Sequence, residues 1–229
     1  MKRLIKKLVD YSYTHQLTHV PSALSMLTYV DVLFRQKIIV PYRDRIVLGK
    51  PFGSQAYYLI WQELGYLETI DTLSVGVKHD EIEFVDYGEE TMGNALGVAI
   101  GIAIANPEQK VWVNITDATL QMGSTLEAIQ YAGHNKINNI ILTVDNNNCQ
   151  VTGNTSDIIP VTPSIKFIGE NMWDTVQCNG HDPHAIKDLF MRFDSQCPKA
   201  YIFNTVKGYG VPYMEADPIK WHYRPIEDK

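Results

Sequence analysis

The chain has 229 residues, 45% of them hydrophobic, with a formal net charge of -6 and a pI near 5.6. That length and apolar content suffice for a sheet buried on both faces, and the acidic balance argues against non-specific nucleic-acid binding, while local basic patches can still face a phosphorylated ligand. Cys149, Cys178 and Cys197 are odd in number and lack paired CxxC spacing, which supports neither a disulfide framework nor a zinc site and makes a reducing, cytoplasmic location the expectation.

The amino terminus is basic, but charges interrupt it before a signal-peptide core can form, and no later run reaches transmembrane length. Leu4, Ile5, Leu8 and Val9 instead trace one stripe of an amphipathic helix over residues 3 to 16. A second helix, opened by Pro21, is expected over 22 to 36, followed by a short strand over 44 to 48 that ends at Gly49. The apolar spacing of Tyr57, Tyr58, Ile60, Trp61 and Leu64 gives residues 55 to 65 a helical period, whereas 66 to 90 are irregular and acidic, as in an exposed loop near a site or interface. Gly93, Gly97 and Gly101 then stand four apart in an apolar run that reaches Ala105. This is a smooth helix face for close packing, either inside the core or against another subunit. Strand 111–115, helix 123–133 and strand 139–145 follow, then a polar loop over 146–157, a strand at 173–178, a helix at 184–193 and a strand at 200–206. The alternation predicts an α/β fold with a doubly wound, mainly parallel sheet flanked by helices. The expected organisation is a single unit from 1 to 229, with a helical segment at 1–43 and a carboxyl-terminal extension at 207–229.

Two of these strands, 111–115 and 139–145, lead into oxygen-bearing side chains, Asp117 and Asn147. The interval of about thirty positions is what one strand-helix-strand unit consumes, so both side chains reach the same carboxyl edge, where open parallel sheets bind ligands. A carboxylate and an amide carbonyl suit a hard cation, Mg2+ or Ca2+, that also holds phosphates. Each residue has a plainer explanation, a helix cap for Asp117 and a turn for Asn147, but their matched placement favours the ligand pair.

Thr116–Gly123 and Val144–Gly153 together resemble the thiamine diphosphate motif of transketolases. Further segments fall in the same order as in that family: Leu17–Ser25 around His19, Asp44–Leu48, Gly180-His181-Asp182, Thr205–Val211, and Trp221-His222. The resemblance covers nearly the whole chain but only the amino-terminal half of a transketolase. It implies thiamine diphosphate as cofactor, with Met92, Asp117, Ala118, Asn147 and Cys149 binding it. Asp117, Asn147 and the backbone carbonyl of Cys149 would be ligands to Mg2+ or Ca2+, and the Ala118 N–H would reach a phosphate. His19, His79 and His222 would be catalytic; His181 reads as a turn residue and His134 as a surface group at a helix end. A separate pyrimidine-binding subunit would supply the activating glutamate of a split transketolase, with a homodimer contact through the same fold. The implied reaction is transfer of a two-carbon ketol unit from a ketose, a sugar or sugar phosphate, to an aldehyde. Three departures stand out: Phe52 in place of a histidine, Met122 in place of a glutamate, and Glu90 in a turn beside the cofactor. They leave open a 2-oxo acid decarboxylase or carboligase subunit, or a non-catalytic scaffold subunit that has lost the cofactor.

Overall fold

The computed structural model describes residues 1–71, 73–78, 81–190 and 196–227. Its strands are β1 (Arg45–Leu48), β2 (Tyr87–Gly88), β3 (Val111–Thr116), β4 (Ile140–Asn146), β5 (Asp174–Asn179) and β6 (Lys199–Asn204). They form one sheet in the order β2-β1-β3-β4-β6-β5, and every neighbouring pair is parallel. β3 pairs with β4 from Val111 opposite Ile140 to Thr116 opposite Asp145. β3 is buried at every position, which is why its sequence is mainly apolar rather than alternating, with Asn114 and Thr116 its polar members.

Helices cover both faces. One layer is built on α1 (Lys2–Thr14), α2 (Val20–Arg35), α3 (Gln55–Glu63) and α8 (Pro183–Phe190), packed against Trp112, Ile141, Tyr201 and Phe203 of the sheet. The other is built on α4 (Ala95–Ala105), α5 (Gly123–His134) and α7 (Thr162–Glu170), which meet Val111, Val113, Leu142, Val144 and Ile202. Alternate strand residues thus serve opposite cores, as the pleat requires. α6 (Thr155–Ile158) and α9 (Pro212–Ala216) are short, and Asp117–Gln121 form a single 3-10 turn. Among the described residues no helix is long and apolar enough to cross a membrane.

Several expected bounds move. The 66–90 segment contains β2, which is held to β1 by the pairs Val47–Tyr87 and Leu48–Gly88. The 146–157 loop contains α6, and α7 arises where the sequence pattern predicts no helix. The last part of the helix expected to reach 193 lies outside the described residues. α4 packs inward through Leu96, Ala99, Ile100 and Ala103. Gly97 and Gly101 lie on its exposed side, where a Cβ would meet nothing within 4 Å. Gly97 and Gly101 therefore serve no close packing within this chain, whereas Gly93 is buried and a Cβ there would meet the Ser124 hydroxyl at 2.9 Å.

Candidate cofactor and active site

Four strands deliver polar side chains to the carboxyl edge of the sheet, and the amino end of α2 faces them. Asp117 follows β3 and has no exposed surface. Its Oδ1 accepts from the Thr116 hydroxyl (2.9 Å) and the Ala118 N–H (2.8 Å), and its Oδ2 accepts from the Thr155 hydroxyl at 3.0 Å. Burial, and after it the charge of Asp145, push the Asp117 carboxyl above its ordinary range. Asn147 follows β4; its Nδ2 donates to Asp145 Oδ2 at 2.8 Å and its Oδ1 accepts the Cys149 N–H at 3.0 Å.

Asp145, the residue of β4 opposite Thr116, joins these segments to the rest of the site. Its carboxylate accepts from Lys50 Nζ (2.5 Å), Ser25 Oγ (2.6 Å), Thr205 Oγ1 (2.5 Å) and the Asn147 amide. Burial alone would raise its pKa, but the Lys50 charge and the bonds from Lys50, Ser25 and Thr205 outweigh that and hold it below the usual carboxylate range. Lys50 also donates to the Ser22 carbonyl at 2.8 Å, so β1, β4, β6 and α2 share one buried knot. Gly53, three residues on, has φ +99°, and a Cβ there would approach the Ala23 nitrogen to 2.9 Å. Glycine is what lets this loop lie on α2.

A cavity of about 390 Å³ opens above the knot, lined by Lys50, Phe52, Met92, Ala118, Asn147, Cys149, Lys207 and His222 among others. His19 lies behind its wall with φ +60° at the start of α2. Its ring stacks on Phe52 (centroids 4.3 Å apart) and meets His222 and Tyr223 edge-on, each at 4.9 Å. Burial, followed by the charges of Lys207 and Lys50, lowers the His19 pKa to about 4. Burial and then Lys207 bring that of His222 to about 3, so both rings are neutral near pH 7. Glu90 lines the cavity from an exposed turn. Its neighbour Glu89 is buried and accepts the N–H groups of Gly93, Asn94 and Ala95, capping α4.

The oxygens available for a cation are a carboxylate (Asp117), an amide carbonyl (Asn147) and a main-chain carbonyl (Cys149), a set that suits Mg2+ or Ca2+ and not a soft metal. No three His, Cys, Asp or Glu side chains cluster as a metal site among the described residues. A cation here would therefore need ligand oxygens from the molecule it helps to bind.

Residues 7–228 match the family described as transketolase, thiamine diphosphate binding domain. The chain belongs to this family. A relative from Phocaeicola vulgatus, named as one of the subunits of apulose-4-phosphate transketolase, is 28% identical over 239 residues, covering 95% of this chain and 85% of its own. Its namesake from Actinobacillus succinogenes is 30% identical over 202 residues, covering 82% and 72%. Among solved structures, transketolase from Leishmania mexicana superposes with a TM-score of 0.77 at 21% identity, over 90% of this chain and 36% of the longer one. The fold is thus that of the transketolase amino-terminal domain.

Of the residues that the transketolase resemblance singles out, the structure gathers Met92, Ala118, Asn147, Cys149 and His222 around one cavity, with His19 against its aromatic wall. Asp117 lies beneath, between Thr116 and Ala118, which do line it. His79 lies outside the described residues. The Ala118 N–H, expected to face a phosphate, is bonded to Asp117's own carboxylate. His181 occupies a turn, and His134 ends α5 in an exposed position. Lys50, Asp145 and Lys207 belong to the site although the sequence pattern does not single them out. The available signal is positional: Lys50 and Lys207 each follow a strand that ends at the edge where Asp117 and Asn147 stand.

Proposed function

We propose that this chain is the thiamine diphosphate-binding subunit of a two-subunit transketolase that moves a two-carbon ketol unit from a ketose donor to an aldehyde acceptor. Asp117, Asn147 and the Cys149 carbonyl would hold Mg2+ or Ca2+, and the cofactor's diphosphate would complete the coordination. The observation that supports the reading is that Asp117 and Asn147 follow the adjacent paired strands β3 and β4, beside a cavity lined by Asn147, Cys149 and His222. Thiamine diphosphate would supply the carbon nucleophile that opens a ketose carbon-carbon bond. The chain's own contribution is orientation: neutral His222 lines the cavity and can hydrogen-bond the ligand there, while His19 packs behind it against Phe52, His222 and Tyr223.

A second protein belongs to this reading, since the relatives that match over most of their length are themselves named as single subunits of a transketolase. The exposed face of α4, with Gly97, Gly101 and Ile104 at 56% exposure, is a smooth apolar surface of the kind protomers bury between them. A homodimer contact through the same fold and a cytoplasmic location complete the reading. Calorimetric titration of the chain plus its pyrimidine-domain partner with thiamine diphosphate and Mg2+ tests it. Binding is expected, and Asp117→Ala should weaken it on the order of a hundredfold or more. A scaffold without cofactor is the competing reading, favoured by the engaged Ala118 N–H and by Phe52. No heat of binding in the assembled complex would decide for it.

A further inference from the structure

Lys207 is 3% exposed and forms no ion pair among the described residues. Its ammonium contacts the Cys149 carbonyl at 3.3 Å and His222 Nδ1 at 2.7 Å. The backbone around it is fixed. Gly208 has φ +87°, donates its N–H to the Pro21 carbonyl at 3.0 Å, and has no room for a Cβ, which would come within 2.8 Å of Met214. His222 is fixed as well, because its carbonyl accepts the His19 N–H at 3.0 Å. The ammonium-to-ring contact therefore joins side chains carried on two anchored backbone segments.

An ammonium has three donors and no acceptor, so the bond runs from Lys207 to the ring, and Nδ1 must carry a lone pair. The proton of a neutral imidazole is then on Nε2. That nitrogen has no protein partner among the described residues, and it is not among the buried polar atoms left without one, so it reaches the open space that His222 lines. We infer that Lys207 is a positioning residue that fixes His222 as the Nε2–H tautomer, so that this ring donates a hydrogen bond into the cavity, to a carbonyl or alkoxide oxygen of the ligand. A proton leaving the ligand then has to go elsewhere, since Nε2 is already protonated. The assignment rests on the proposed site, and it applies to His222 alone: the His19 Nδ1 lies 2.7 Å from the Thr18 hydroxyl, and its Nε2 is buried without a partner among the described residues.

Nitrogen-15 NMR of the histidine rings in the full chain at neutral pH tests this, with His222→Gln used to assign the signals. The expected result is a single form with unprotonated Nδ1 and protonated Nε2, changing in Lys207→Met to a mixture of tautomers. A protonated Nδ1 in the parent chain, or an unchanged tautomer in Lys207→Met, would overturn it. Should that variant fail to fold, a correlation through the hydrogen bond between the Lys207 ammonium and His222 Nδ1 in the unsubstituted chain gives the same answer, and its absence counts against the inference. No cofactor enters these measurements, so failed cofactor binding would count against the proposed function and leave the tautomer assignment intact.

Discussion

A carboxylate removed from water costs several kcal/mol unless its lone pairs are occupied by good donors. Asp145 has no exposed surface and accepts from four groups, one of them the ammonium of Lys50. Lys50→Met deletes the charge and leaves the carboxylate, so it should destabilise the chain by about 3 kcal/mol, read from urea denaturation. His181 makes the opposite kind of demand. Its Nε2 accepts the Val206 N–H at 2.8 Å and its ring stacks on Tyr209 with centroids 3.6 Å apart. Burial lowers its pKa to about 4 from the ordinary value of 6.5. Between those values the unfolded chain binds the proton and the folded chain does not, so this contribution is complete above pH 6.5 and declines as pH falls towards 4. Denaturation midpoints should drop from about pH 7 to about pH 5, with a shallower drop in His181→Gln. At this scale the position of Asp117 and Asn147 at the ends of adjacent strands is readable from the sequence. It is opaque for Lys50, because a lysine after a strand looks like any exposed cation until the fold sets Asp145 against it.

Elements with one dominant signal are legible: β3 and β4 as mainly apolar runs rich in Val and Ile, α1 as a stripe of Leu and Ile. β2 has only two residues, and its pairing with β1 is set by the tertiary fold rather than by any local pattern. α7 carries Pro163 and Gly169 inside nine residues, which read locally as turn signals; Ile165 and Ile168 are buried and hold it in place. The glycine spacing of α4 is legible as a surface for close approach, but only the fold tells which side it faces. Because Gly101 opens on free space, Gly101→Ala should stabilise the isolated chain by about 1 kcal/mol through helix propensity. Gly101→Phe should leave the chain folded yet weaken its assembly on the order of tenfold or more, about 1.4 kcal/mol, measured by sedimentation at several concentrations.

The whole molecule is a transketolase amino-terminal domain that spans 36% of a full-length transketolase but 85% of a relative that is itself named as one transketolase subunit. Fold class and family are legible from the order of the motifs, whereas the choice of substrate is not. If a cation completes the site, chelation should lower the melting temperature of the cofactor-loaded complex and leave that of the cofactor-free chain unchanged. A ligand at about a hundred times its dissociation constant contributes about 2.7 kcal/mol, enough to read by calorimetry. The bond between the His19 N–H and the His222 carbonyl, together with that between Gly208 and Pro21, ties the two ends of the sequence to each other. A nascent chain emerging from the ribosome amino end first would complete most of its sheet while the pocket still lacked a wall. Cofactor capture should therefore come late in biogenesis, after the strands have paired, when the tail folds back over the beginning of α2.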